Sequence, residues 1–130
     1  MRSRTLIVLA ILIATLTSAC GGSNTSSPNT QKYASLKGNG ARGKEKYASV
    51  CLPCHGGNAR GIPNLGKDLI GGDFSKRASD AELIALTIKG RPASDPANTT
   101  RIDMPPRGGN PRLSDQDVAD IVAYLRSQQK

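Results

Sequence analysis

Cys51-Leu52-Pro53-Cys54-His55 is the stretch on which the reading of the whole chain turns. It spells C-x-x-C-H. Two thiols three residues apart lie on one turn, where both can add across the two vinyl groups of a single haem. The histidine that follows then presents its imidazole to the iron as the proximal ligand. The pattern predicts one covalent haem c, bound through Cys51 and Cys54, with His55 on the metal. Two other uses of these residues must be weighed. A thioredoxin-like redox pair calls for a β-α-β pattern around it, and none is visible. A zinc site needs about four ligands. The chain offers only Cys20, Cys51, Cys54 and His55 as thiol or imidazole groups, and Cys20 belongs to a different signal.

That signal lies at the N-terminus. Arg2 and Arg4 precede an apolar run from Leu6 to Leu16, and the small residues Thr17, Ser18 and Ala19 follow. This is the layout of a secretory signal peptide. The run is too short for a membrane-spanning helix, which needs ~20 apolar residues. Leu16-Thr17-Ser18-Ala19-Cys20 resembles a bacterial lipoprotein signal, with Thr17 where that signal usually has leucine. The resemblance implies cleavage before Cys20 and attachment of lipid to its sulfur. A free exposed thiol beside a redox centre would be the alternative, and a liability. Residues 1–19 are therefore read as signal and residues 20–36 as lipidated cysteine plus tether. Gly21 to Leu36 is rich in Gly, Ser, Asn and Thr without an apolar period. Sixteen such residues span about 20–24 Å root-mean-square.

The 130 residues allow one domain, read here as residues 37–130. Formal charge is +8, and loss of Arg2 and Arg4 with the signal leaves +6. A basic chain can mean nucleic-acid binding. Here the cations are scattered, aromatics are few and the chain is marked for export, so no nucleic-acid partner is expected. A domain this small has little core of its own, and a large flat haem would supply much of it.

Three helices can be read. One runs from about Gly40 to Val50 and ends at the C-x-x-C-H turn. A second begins at Ser79, with Glu82 completing a capping box, and stops at Gly90. A third begins at Ser114, with Asp117 in the box position. Val118, Ile121, Val122 and Leu125 form its apolar stripe. No strand pattern is sustained, so the fold class is all-α.

With these elements the chain resembles the class I monohaem cytochrome c family, over roughly residues 38–130. The attachment turn carries the resemblance, as do Gly43 and Tyr47 on the first helix and Ile121 and Tyr124 on the last. The family likeness implies that these four pack where the N- and C-terminal helices cross, with three or more helices around the haem. Gly61-Ile62-Pro63-Asn64-Leu65 is similar to the family's G-x-P-x-L stretch, which implies that the Pro63 carbonyl receives the second N–H of His55. Leu65, Leu69, Ile70, Phe74 and Leu83 are candidate pocket residues. Arg60, Lys67, Arg91 and Asn98 are candidate partners of the haem propionates.

His55 is the sole histidine, so two histidines from one chain cannot hold the iron. Met, Lys, Tyr or water remain for the sixth position. Met1 leaves with the signal. Met104 stands in Asp103-Met104-Pro105-Pro106, a Pro-rich stretch between the second and third helices. It looks like the axial-methionine loop of bacterial cytochromes c, which implies His55 and Met104 as the metal ligands. Such a pair raises the reduction potential. The resemblance implies a one-electron carrier rather than an enzyme. It would sit lipid-anchored on the outer face of a bacterial membrane, periplasmic or at the cell surface. Its partners would be redox complexes: a quinol-oxidising donor and a terminal oxidase or reaction-centre acceptor. Membership of a larger complex is the alternative. A peroxidase or gas sensor would need an open sixth site, and a peroxidase distal acid–base groups as well.

Overall fold

The computed structural model describes residues 28–129. The signal peptide, its cleavage site and Cys20 lie outside the described residues. Six helices follow in order: α1 (Pro28–Gln31), α2 (Gly40–Val50), α3 (Leu52–His55), α4 (Asp73–Arg77), α5 (Asp80–Lys89) and α6 (Asp115–Gln128), with a 3-10 turn at Pro106–Gly109 before the last. Among the described residues there is no β-strand, only two isolated antiparallel bridges, Ile62 with Gly66 and Arg91 with Met104. None of the described helices is long and apolar enough to cross a membrane. The all-α expectation holds.

The long helices start where local chemistry places them. The Asn39 side chain accepts from Arg42 N–H at the head of α2. Ser79 with Glu82 and Ser114 with Asp117 form reciprocal capping boxes on α5 and α6. Each box satisfies two backbone donors that a helix start leaves unpaired. Gly90, at φ 75°, ends α5.

The largest contact between elements is α2 against α6. Gly43 makes it possible: a Cβ there would stand 1.9 Å from the Asp120 carbonyl oxygen. Tyr47 and Tyr124 meet across the crossing, with ring centroids 5.4 Å apart at 50°. Val118, Ile121, Val122 and Leu125 are buried, as their spacing predicts.

Asp120 also lies on the buried side of α6, only 1 % exposed. Its carboxylate accepts from Asn39 N–H at 2.7 Å, from Arg42 Nε at 2.8 Å and from Gln116 Nε2 at 3.0 Å. Burial by itself raises its pKa. The hydrogen bonds from Arg42, Asn39 and Gln116 outweigh that and hold it below the usual carboxylate range. A depressed folded pKa means that this stabilisation is present above the unfolded value of ~3.9 and is lost as pH falls through the folded one. Asp120→Asn should therefore lower the urea midpoint at pH 7, and the gap to wild type should narrow towards pH 3. A gap of equal size at both pH values would contradict this account.

The N-terminal boundary needs correction. Residues 20–36 do not all form a tether, because the stretch from residue 28 packs on the domain. Tyr33 is 5 % exposed and belongs to the core, Leu36 packs against that core, and α1 lies on α5. Successive turns, from Tyr33 N–H to Thr30 O and from Leu36 N–H to Tyr33 O, carry the chain inward. Two apolar residues make no detectable period, so polar composition masked a segment that still buries an aromatic ring. At the other end, Arg126 ties α6 to the α4–α5 corner. It donates to Asp80, to the Ser75 carbonyl and to the Ala78 carbonyl.

Candidate haem-attachment site

The turn that carries the two thiols is α3 itself. α2 ends at Cys51, whose N–H donates to Tyr47 O, and the chain re-enters a helical turn with Pro53 near its start. Pro is well placed there, where an N–H would have no helical partner. Cys51 is half-buried and Cys54 exposed, and both are free thiols. Burial, and then the neighbouring Cys54, push the Cys51 thiol up to about 11.

His55 closes the turn and is 8 % exposed. Its Nδ1 lies 2.8 Å from the Lys67 carbonyl oxygen. A carbonyl can only accept, so the proton sits on Nδ1 and the lone pair is left on Nε2. This corrects the sequence reading, which gave the role to the Pro63 carbonyl. Pro63 is exposed within the loop bridged from Ile62 to Gly66, and the chain returns to His55 only after that loop closes. Gly66 permits the return: a Cβ there would stand 2.0 Å from the Cys54 carbonyl oxygen and 3.2 Å from His55 Nδ1.

Tyr47 adds a contact that packing alone did not suggest. Its hydroxyl donates to the Gly56 carbonyl at 2.6 Å, one residue past His55. Burial first, with Cys51 and Tyr124 assisting, pushes its pKa up to about 12, so the hydroxyl stays protonated and keeps donating. Tyr47→Phe retains the ring and removes that bond, leaving the Gly56 carbonyl only the Ala59 N–H at 3.1 Å. A loss of about 1 kcal/mol is expected, hence a melting temperature lower by about 4–8 °C. Thermal melts of the holoprotein followed at the Soret band check this.

Met104 lies half-buried, its N–H bonded to Arg91 O at 2.9 Å and its carbonyl accepting from Arg91 N–H at 2.8 Å. Gly90 backs the bridge, and a Cβ on it would come within 2.4 Å of Met104 O. Of the candidate pocket residues, Ile70 and Leu83 are buried, Leu65 and Leu69 half-buried and Phe74 45 % exposed. Asn98 is not free to hold a propionate. Its amide nitrogen serves the carbonyls of Arg91, Pro92 and Ile102, and its oxygen accepts from Thr100 and Arg101. Arg60 faces Asp68, and Lys67 contributes its carbonyl.

The residues present fit a haem. The large exposed apolar side chains among the described residues are Leu52, Phe74 and Ile102. Each comes from a segment bearing candidate site residues: Leu52 between the thiols, Ile102 two residues before Met104, and Phe74 beneath the Arg91 guanidinium at 5.2 Å. Arg91 Nε is buried without a hydrogen bond, and Asp95 lies 3.4 Å away as an ion pair only. A flat apolar group with acidic substituents suits that combination of surfaces and donors. Fold and donor set define a small all-α haem-attachment domain.

Comparison with known proteins agrees. A family model described as cytochrome c oxidase, cbb3-type, subunit III matches residues 38–125. Cytochrome c-555 of Chlorobaculum thiosulfatiphilum is 32 % identical over 90 residues, covering 69 % of this chain and 96 % of that protein. The cbb3-type oxidase subunit CcoP of Rhodobacter capsulatus is 29 % identical over 86 residues, covering 65 % of this chain and 28 % of that protein. Among solved structures, cytochrome cL of Methylophaga aminisulfidivorans superposes with a TM-score of 0.52 at 19 % identity, over 80 % of this chain and 70 % of that one. That last likeness concerns fold alone. The chain belongs to the cytochrome c family, and it is accordingly an electron carrier with covalently bound haem c.

Proposed function

We propose that this cytochrome is a monohaem one-electron carrier ligated by His55 and Met104, joined to its haem through Cys51 and Cys54, and anchored by lipid on Cys20. It performs no catalysis of its own. The observation that carries the reading is the fixed imidazole: with Nδ1 committed to the Lys67 carbonyl, Nε2 is the ring nitrogen left to bind a metal. A ligating histidine ordinarily has its other N–H held in this way. The doubly bonded Met104 peptide supports the thioether as the second ligand. The haem supplies a one-electron iron couple when bound. The chain's own part is to hold both axial groups, keep water from the metal and present an edge to a partner. With both axial positions filled, transfer is outer-sphere and no substrate touches the iron. The holoprotein should show a low-spin spectrum with a far-red thioether–iron band and should not bind CO. A high-spin or readily CO-binding protein would instead be a sensor or peroxidase.

The partners we propose are a quinol-oxidising donor and a terminal oxidase or reaction-centre acceptor, reached from the outer face of the membrane. A second reading makes the chain a haem subunit of a larger oxidoreductase, and the match to a cbb3-type oxidase subunit favours it. Size fractionation of mildly solubilised membranes separates the two: a shuttle elutes alone, a subunit with its complex.

Cys20→Ser should move the protein from membranes to the soluble fraction with an unchanged absorption spectrum. Two or more acyl chains give stable attachment where one is marginal. Wild-type protein that washes off in high salt would refute lipid anchoring.

A further inference from the structure

Met104 sits between two knots that hold its loop from opposite ends. On the N-terminal side, residues 91–102 are gathered around Asn98, which is 5 % exposed. Its amide nitrogen lies 2.7 Å from Ile102 O, 3.1 Å from Pro92 O and 3.3 Å from Arg91 O, and its oxygen accepts from Thr100 Oγ1 and Arg101 N–H. The knot joins the two strands of the loop just beside the Arg91–Met104 bridge. The Asp103 carboxylate reinforces it by accepting from Ala93 N–H.

On the C-terminal side, three residues past Met104, Arg107 lies at φ 53°, ψ 30°. This left-handed conformation is costly for a side chain other than glycine. Its guanidinium compensates by reaching the start of α6: Nη1 donates to Leu113 O at 2.7 Å and Nη2 to Asp115 Oδ1 at 2.7 Å. The Arg107–Asp115 pair is only partly exposed. Pro105 and Pro106 stiffen the backbone between Met104 and this clasp.

We propose that Asn98 and Arg107 are positioning residues for the axial thioether, together setting how often the Met104 sulfur leaves the iron. The proposal rests on Met104 being the sixth ligand. A thioether binds iron weakly, so its occupancy depends on the loop that presents it. A loop closed at both ends keeps the sulfur at high effective concentration. Releasing either knot lets the loop swing while the α2–α6 crossing, whose packing uses other residues, stays in place.

The test uses full-length holoprotein in detergent, as wild type, Arg107→Gly, Asn98→Asp and Met104→Ala. Glycine accepts φ 53° without strain, so Arg107→Gly removes the clasp and leaves the turn. Asn98→Asp keeps the acceptor and removes the donors. The readout is the rate of CO binding to the ferrous protein at low CO, where it scales with the fraction of protein whose sulfur has left the iron. Each is read beside the denaturant midpoint from far-ultraviolet circular dichroism. Both positioning variants should bind CO about tenfold faster, the equilibrium effect of losing one charge-assisted hydrogen bond in Arg107→Gly and the neutral amide bonds in Asn98→Asp. This should occur at denaturant concentrations where helicity is intact. Wild-type rates in both variants, with rapid CO binding by Met104→Ala, would overturn the positioning role and leave the ligation standing. Faster binding only where helicity is also lost would overturn it too. A Met104→Ala protein that excludes CO and keeps its far-red band would instead overturn the ligation, and the positioning proposal with it.

Discussion

Met104→Ala should keep its haem and lose its carrier properties. In the proposed reading the haem is joined through Cys51 and Cys54 and held by His55, none of which depends on residue 104, so it stays attached. The sequence has no second histidine, and its other methionine, Met1, falls in the segment proposed as a signal, so neither an imidazole nor a second thioether replaces the missing ligand. Water or a weak donor takes the sixth position, and the ferric spectrum turns wholly or partly high-spin. The far-red band disappears and ferrous CO binding becomes fast. The reduction potential should fall by about 0.1 V or more, within the ~0.8 V that axial ligands span. The direction follows because a thioether stabilises Fe(II) relative to an oxygen donor. A redox titration, the visible spectrum and ferrous CO binding check these four changes. An unchanged potential and band would remove Met104 from the iron.

Gly43→Ala should be strongly destabilising. The new carbon would stand 1.9 Å from the Asp120 carbonyl oxygen and 2.3 Å from its carbon. Both neighbours are backbone in the middle of α6, so no side chain can turn aside. The helices must separate, and that loosens the Tyr47–Tyr124 contact and the Asp120 bonds to Asn39 and Arg42. Overpacking of this kind costs about 3 kcal/mol, which lowers the melting temperature by about 12–24 °C for a domain of this size. Gly57→Ala is the control, since nothing lies within 4 Å of a Cβ there. A Gly43→Ala melt within a few degrees of wild type would mean that the crossing is looser than described.

The large exposed apolar groups among the described residues, Leu52, Phe74 and Ile102, connect these effects. They stand on the segments that carry the thiols, the Arg91 contact and the methionine. Stability, ligation and the presentation of an edge to a redox partner are thus shared by a few short segments. The α2–α6 crossing holds the thiol-bearing turn, and the knotted 91–107 stretch holds the methionine.

What could be read from the letters was local. Ser79 with Glu82 and Ser114 with Asp117 mark helix starts because a capping box closes within four residues, and the observed helices begin there. The C-x-x-C-H turn declares its chemistry by spacing, and Gly43 and Tyr47 showed their place through a known packing pattern. What could not be read depends on residues meeting across the chain. The His55 partner is a main-chain carbonyl, which every residue possesses, so side-chain identity could not choose Lys67 over Pro63. Asn98 read as a candidate propionate partner, because its bonds exist only once the loop folds back to Ile102. Asp120 sits in a run that reads as the solvent face of α6, yet the chain before α2 closes over it. Tyr33 looked like part of a tether, because one aromatic has no period and its burial needs the rest of the core in place. The sequence by itself determined the three long helices, the haem-attachment turn and the class of cofactor, since each is encoded within a few adjacent residues. The tertiary structure alone decided which carbonyl orients the imidazole, what clasps the methionine loop and where the folded domain begins, because those are properties of distance in space between groups far apart in the chain.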